Sequence, residues 1–465
     1  MSSNKRIWGW FSFDWASQPY NTLLLTFIFG PYFAELVTAQ YMENGVEESL
    51  AKAHAQSAWG WTLTVSGLLI AFTAPVLGAV ADNTGRRMPF IWVFSLLYVI
   101  GAAGTWFADP AGFNVLLVLG FFIVGLIGME FATIFTNAML PELGSREELG
   151  EISGSGWAIG YCGGLVALVI ALLFLAENSA GRTLIGIPPI GGLDPVAREG
   201  TRFVGVFSAI WFAVFMIPFF LWVRDTNTSK PCCFGMVREG LTSLGQTIRK
   251  LPESPSLANY LASSMLYRDA LNGMYTFGGI YAGGVLNWSV IDIGVFGILA
   301  VIGGALAAYV GGRLDSSRGP KPVILVSIIA LIAAAVSIVM ITPTSIFGIP
   351  VSEAPVLAGR TASDIAFYLA GILVGAAGGT IQSASRTMMV RQANPHRMTE
   401  AFGLYALAGK ATSFLAPALI GLVTAVSGSQ RVGVTPLIGL FLLGLVLLLW
   451  VKPDGEDDTV WDSDT

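Results

Sequence analysis

The sequence predicts an all-α membrane protein with twelve transmembrane helices in two pseudo-symmetric six-helix bundles. Three observations predict it. The chain is 54% hydrophobic and only 12% charged, about half the charge of a soluble domain. Twelve apolar runs each approach the roughly 20 residues that a helix needs to cross hydrocarbon. One short charged loop pattern occurs twice, at the same place in each half. The 55 glycines fit the same class, because small residues let membrane helices approach closely.

The runs lie at 9–38, 57–81, 89–107, 113–138, 152–175, 202–223, 257–284, 290–312, 322–342, 364–389, 400–426 and 433–451. The opening MSSNKRIWGW has two basic residues but no short apolar core before a small-residue cleavage site. It therefore reads as part of a retained first span. An even number of spans puts both termini on one side, and Lys and Arg decide which. With the N-terminus inside, the inner segments hold Lys5, Arg6, Arg86, Arg87, Arg146, Arg313, Arg318, Lys321 and Arg391 among others. The outer loops hold only Lys52, Arg182, Arg198, Arg202, Arg360 and Arg431. Both termini are thus expected in the cytoplasm, with the protein in the cytoplasmic (inner) membrane.

This divides the chain into an N-terminal six-helix half (1–223), a cytoplasmic linker (224–256), a C-terminal six-helix half (257–451) and an acidic tail (452–465). In the linker, Val237, Leu241, Leu244, Ile248 and Leu251 make one apolar stripe, expected of a helix lying on the inner membrane surface. The tail lacks an apolar pattern and is expected to be disordered.

Composition excludes several functions. Cys162, Cys232 and Cys233 have no zinc or redox spacing, and His54 and His396 lie far apart. No metal site or cofactor is expected. No phosphate-binding P-loop, no His-Glu-x-x-His and no serine nucleophile motif within a span appears, so the chain is not read as an enzyme. The expected partners are a small-molecule substrate and the lipid bilayer, not nucleic acid, and the expected state is a monomer.

The repeated loop follows spans 2 and 8: GAVADNTGRR (78–87) and GGRLDSSRGPK (311–321). Both read Gly-x-x-x-Asp, then a turn with glycine, then basic residues. Gly78 and Gly311 allow close helix contact, and Gly85 and Gly319 permit a tight turn. Asp82 and Asp315 end their helices, where a negative charge opposes the helix dipole. Each is therefore expected to have a cationic partner or a hydrogen-bond donor. Arg86, Arg87 and Lys321 hold the loops inside.

Four spans carry polar stripes at helical spacing. Span 1 has Asp14, Gln18 and Asn21, and span 4 has Glu130, Thr133 and Asn137. Span 7 has Asp269, Asn272 and Thr276, and span 10 has Gln382, Ser385 and Arg386. Asp14-x5-Tyr20 is echoed by Asp269-x5-Tyr275. A charge at the bilayer centre costs about 2.5–3.5 kcal/mol on insertion scales, so such residues face a cavity or a partner. Arg268 and Asp269 are neighbours in sequence and do not face each other, so Lys410 is expected as a partner for Asp269. A plainer alternative is that these charges only lock helices together.

The loop motif, Gly78, Asp82, Gly85, Arg86 and Arg87, resembles the signature of the major facilitator superfamily. The second copy carries one inserted residue. Longer strings narrow the resemblance. FDWASQPYNT is similar to the opening of the vacuole-effluxer-like branch, also called the autophagy-related amino-acid effluxer family. So are the segments carrying Asn137, Leu140 and Pro141; Ser153, Gly154, Gly156, Trp157, Gly160, Tyr161, Gly163 and Gly164; Gln382, Ser385 and Arg386; and Phe402, Gly403, Tyr405, Gly409, Lys410 and Pro417. Span 7 departs: YRDA stands where that branch reads Tyr-Asn-Asp-Gly. The resemblance implies the major facilitator fold, with spans 1, 4, 7 and 10 lining a central cavity, and the export of neutral amino acids.

The function expected is secondary active transport of a small polar or zwitterionic solute by alternating access, coupled to protons. Gln18, Asn21, Asn272, Tyr275, Gln382 and Lys410 are the candidate substrate ligands. Asp14, Glu130 and Asp269 are the candidate coupling carboxylates. Asp82, Arg86, Arg87, Asp315, Arg268 and Arg386 are the candidate ion-pair or gating residues. The alternatives are a drug-type efflux pump and a transporter-like sensor or assembly factor that moves nothing.

Overall fold

Each predicted apolar run is helical in the computed structural model, which describes residues 3–178, 180–225, 242, 244–245, 249, 251–286, 288, 290–357 and 359–456. Span 1 is α1 (Ser3–Pro19), a π-helical segment (Tyr20–Phe27) and α2 (Phe29–Glu43). Spans 2 to 5 are α3 (Glu48–Thr84), α4 (Met88–Gly104), α5 (Val115–Asn137) and α6 (Leu149–Phe174). Span 6 is α7 (Glu199–Phe215) and α8 (Ile217–Trp222). Spans 7 to 10 are α9 (Pro255–Val285), α10 (Val290–Arg318), α11 (Pro320–Met340) and α12 (Ala362–Gln392). Span 11 is split into α13 (Met398–Ala411) and α14 (Leu415–Ser427), and span 12 into α15 (Gln430–Gly433) and α16 (Pro436–Leu449).

Eleven of the described helical stretches are long and apolar enough to cross a membrane. The twelfth run is α9, 31 residues long. Its Ser263, Ser264, Arg268, Asp269, Asn272 and Thr276 make it the most polar of the set.

Spans 1 and 11 depart from continuous α-helix near the candidate site residues. Span 1 passes through a π-helical turn that ends at Ile28, whose φ/ψ of −120°/−64° is not helical. Such turns shift the hydrogen bonds from i→i+4 to i→i+5 and cluster at functional sites. Span 11 breaks over 412–414. A small β-meander also follows α11: β1 (Ile341–Thr342), β2 (Ser345–Ile346) and β3 (Ile349–Pro350), antiparallel in that order.

The linker stripe at 237–251 lies outside the described residues apart from isolated positions. Of the tail, 457–465 lie outside them too. The preceding residues 452–456 are held: Ser256 N–H donates to Glu456 (3.0 Å), Gln392 to the Lys452 carbonyl (2.7 Å), and Arg391 to Asp454 (3.1 Å).

The chain forms two compact units. The first comprises Met1–Ala74, Thr84–Asn137 and Ile159–Cys232. The second comprises Pro75–Asn83, Ala138–Ala158 and Cys233–Thr465. The ends of α3 and α6 that adjoin the charged loops thus belong to the second unit.

In the first unit α4 and α5 meet backbone to backbone. A Cβ on Gly101 would lie 2.1 Å from the Gly125 nitrogen, and one on Gly128 2.4 Å from the Tyr98 nitrogen. The end opposite the charged loops is tied by ion pairs. Arg202 pairs with Asp109 (3.0 Å) and lies over Trp106. Arg198, held at φ 51°, reaches both Glu35 and Glu177 (3.3 Å each). Glu177 is fully buried at its side chain and also accepts Thr201 N–H (3.0 Å). Burial raises its pKa, outweighing Arg198 and the N–H donor.

That shift has a sign. A carboxyl whose folded pKa is raised contributes stability below its unfolded pKa and loses it as pH rises through the folded value. Acidification towards the ordinary glutamate range should therefore stabilise the wild type through Glu177. In Glu177→Gln this increment should vanish, seen as a flatter pH dependence of the melting temperature.

In the second unit α10 and α12 pack most closely. A Cβ on Gly375 would lie 1.9 Å from the Ala300 carbonyl oxygen, and one on Gly379 2.5 Å from that of Gly304.

Candidate functional site

The residues singled out in the sequence fall in both units. Asp14, Gln18, Asn21, Glu130, Arg86 and Arg87 belong to the first. Asp82, Asp315, Arg268, Asp269, Asn272, Tyr275, Gln382, Arg386 and Lys410 belong to the second.

In the first unit three glycines of α6 make room for α1. Cβ atoms on Gly160, Gly163 and Gly164 would lie 3.2 Å from the Asp14 carbonyl oxygen, 2.6 Å from that of Trp15 and 2.8 Å from Gln18 Cγ. Asp14 is buried and Gln18 half-buried along this seam. Asn21 falls in the π-helical segment and turns to α5, where its Nδ2 meets the Met129 sulfur at 3.9 Å. Thr133 donates to the Met129 carbonyl (2.8 Å), and Glu130 beside it is half-buried. Asp14 and Gln18 thus pack on α6 while Asn21 meets α5. Next to Asn21, Tyr20 is buried and donates to the Phe122 carbonyl at 2.6 Å.

In the second unit the expected α9 stripe divides. Asn272, Tyr275 and Thr276 are exposed, whereas Asp269 is 1% exposed. Lys410 is not its partner. Asp269 Oδ2 accepts the Ala416 N–H at 2.9 Å, and Oδ1 has no partner among the described residues. The reason is the break in span 11. The new helix α14 starts there and turns the Ala416 amide, which has no backbone acceptor among the described residues, onto the buried carboxylate.

Arg268 turns the other way. It donates to the Tyr405 carbonyl (2.9 Å), lies over the Tyr405 ring at 4.0 Å and packs on Gly409. On α12, Arg386 is buried with its guanidinium 5.4 Å from the Trp157 ring, and Gln382 is half-buried one turn away. Ser385 shares hydrogen bonds with Tyr260 (2.6 Å) and Tyr267 (2.7 Å).

The loop-motif aspartates find donors. Asp82 accepts the Glu400 N–H at 2.8 Å, in the first turn of α13. Gly78 permits the approach: its Cβ would lie 2.5 Å from the Thr399 carbonyl oxygen. Asp315 accepts the Thr387 hydroxyl. The next residue, Ser316, accepts the Glu151 N–H at 2.8 Å, in the first turn of α6. A Cβ on Gly150 would lie 2.8 Å from Asp315, and Arg313 pairs with Glu151 at 3.3 Å.

The two motif copies therefore do the same thing. Each sits at the end of the second helix of its half and accepts the third amide of a fifth helix, α13 in one case and α6 in the other. Both capped helices carry glutamate at that third position.

Sequence reading missed Asp225, which caps α4 by accepting the amides of Arg87 (3.0 Å) and Met88 (3.2 Å). It also missed the Glu177–Arg198 cluster. Pro417 and the Thr-Ser pair at 412–413 are the signals that could have located the break in span 11.

The vacuole effluxer Atg22-like family model matches residues 2–456. The chain belongs to that family. It is a multi-pass membrane transporter of the major facilitator superfamily, in the Atg22-like branch. An uncharacterized MFS-type transporter, YxiO of Bacillus subtilis (strain 168), is 23% identical over 97% of this chain and 95% of its own length. Autophagy-related protein 22 of Cryptococcus neoformans var. neoformans serotype D (strain JEC21 / ATCC MYA-565) is 24% identical over 64% of this chain. The chain covers only 48% of that fungal relative's length. Among solved structures, the human organic anion transporter MFSD10 (TETRAN) superposes with a TM-score of 0.67. It covers 96% of this chain at 15% identity, a likeness of fold alone.

Proposed function

We propose that this Atg22-like protein is a monomeric secondary transporter that moves a small polar or zwitterionic solute, an amino acid among them, by alternating access. The observation that carries this reading is the duplicated cap. Asp82 on α13 and Ser316 on α6 each hold a helix start through a non-local hydrogen bond to its third amide, a kind of connection that can break and re-form. Lys and Arg lie mainly at the loop-motif end, which supports a cytoplasmic placement of that end and of both termini, in the cytoplasmic membrane.

The polar face of α9 supports a polar solute. Asn272, Tyr275 and Thr276 are exposed on a membrane helix, where side chains of that kind belong against a wet path. Gln18, Asn21, Gln382 and Lys410 complete the candidate ligand set. Arg268 and Arg386, each laid on an aromatic ring, set the helix positions around it.

Coupling to protons falls to Asp14 and Glu130, both on the helices of the first unit. Neutralising Asp14 should uncouple the carrier. Asp14→Asn in proteoliposomes should lose at least tenfold of its pH-gradient-driven uptake of L-leucine while counterflow at equal pH persists. Unchanged gradient-driven uptake would remove Asp14 from the coupling role.

A further inference from the structure

We infer that Asp269 is a positioning residue that pins the start of the second half of span 11, and not a coupling carboxylate. This rests on the transport reading only for its effect on flux; the pinning itself stands on hydrogen bonds.

A helix start leaves its first amides without intrahelical partners. In α14 every one can be followed. Leu415 N–H donates to the Thr412 carbonyl at 2.7 Å, and Ala418 N–H to that of Phe414 at 3.0 Å. Pro417 has no N–H. The remaining amide, Ala416, is fully buried and, among the described residues, donates to Asp269 alone, 147 residues away in sequence, at 2.9 Å. Among the described residues Asp269 is thus the sole non-local acceptor at this helix start.

The surroundings fit a fixed joint. A Cβ on Gly273, one turn along α9, would lie 3.0 Å from Ala416 Cβ and 2.7 Å from Leu437. The Asp269 carboxylate therefore sits in an apolar seam of α9, α14 and α16. Neither α14 nor α16 carries an ionisable side chain. At 1% exposure Asp269 has no path for a solute, so it does not touch substrate in this state.

What the joint positions is the break itself. Lys410 lies in the last turn of α13, and exposed Ser413 and Phe414 lie between the half-helices. With α14 pinned to α9, the break is held beside the exposed face of Asn272 and Thr276 on that same helix. Without the pin, α14 frays at its first turn and Lys410 loses its fixed distance from α9.

The test compares Asp269→Asn, Asp269→Ala and Asp269→Glu. Asparagine keeps a capping oxygen at the same reach and removes the charge. Alanine removes the cap, and glutamate keeps the charge but displaces it by one methylene. Hydrogen exchange is read over 412–420 in nanodiscs, with 370–385 in α12 as the folding control. Alanine should speed exchange over 412–420 by about five- to thirtyfold, glutamate by several-fold, and asparagine by less than twofold. In proteoliposome counterflow with L-leucine, alanine should raise KM several-fold with little change in maximal rate. Asparagine should retain both KM and pH-gradient drive.

The inference is overturned if alanine leaves exchange unchanged, or if asparagine loses gradient drive while 412–420 stays protected. If alanine does not fold, the asparagine and glutamate pair decides. Pinning predicts that asparagine is the milder change, and coupling predicts that glutamate is. If no protein, wild type included, moves L-leucine, leucine transport fails as the reading while the exchange result still decides the pinning role.

Discussion

Asp82→Ala is expected to cut transport at least tenfold while leaving the protein folded. Asp82 accepts the Glu400 N–H at 2.8 Å, in the first turn of α13. Taking a hydrogen-bond acceptor away from a buried donor costs about 1–3 kcal/mol, or roughly five- to 150-fold in the population of the capped arrangement. The loss falls on one arrangement of a helix start and not on the core, so melting temperature should move little. Asp82→Asn keeps an oxygen in place and should lose less than fivefold. The measurement is counterflow at matched protein density, with melting temperature alongside. Equal flux in wild type and Asp82→Ala would mean that the cap does not take part in the cycle.

Gly375→Ala should act on the fold instead. Its Cβ would meet the Ala300 carbonyl oxygen at 1.9 Å, and backbone cannot rotate aside as a side chain can. Helices α10 and α12 must move apart, and Gly379 against Gly304 repeats the same close approach one turn on. Overpacking of this kind costs about 1–3 kcal/mol, sometimes more. For a unit of this size that is a fall in melting temperature of several degrees, at about 2–4 °C per kcal/mol. A reduced yield of folded protein should accompany it. A melting temperature equal to wild type would show that the seam is loose enough to accept a methyl group. Gly283→Ala is the control, because a Cβ there meets nothing closer than 3.7 Å.

The spans were legible because hydrocarbon imposes a length and a composition that each run carries by itself. The loop motif was legible too. The rule that an aspartate at a helix end needs a donor or cation anticipated the Glu400 amide and the Thr387 hydroxyl. It could not say which one, since an amide at a distant helix start leaves no mark in the side-chain sequence. The same blindness explains Asp269. Lys410 was the visible charge of opposite sign, but the partner was a backbone N–H exposed by a break. That break depends on tertiary packing, with only Pro417 and a Thr-Ser pair as local hints. The π-helical turn at Tyr20 is similar. Its first residue, Tyr20, reaches the Phe122 carbonyl, a contact between helices, and Asn21 within it meets Met129 of α5.

The proposed transport cycle requires the caps at the loop-motif end to open and close. Its most direct measurement is the distance between spin labels at Glu147→Cys and Arg318→Cys, with Cys162, Cys232 and Cys233 replaced by serine. Glu147 and Arg318 are both exposed, beside the start of α6 and at the end of α10. Two distance populations are expected in the wild type, with Asp82→Ala shifting weight to the longer one. A single short distance in both proteins, unchanged under conditions that support counterflow, would contradict it.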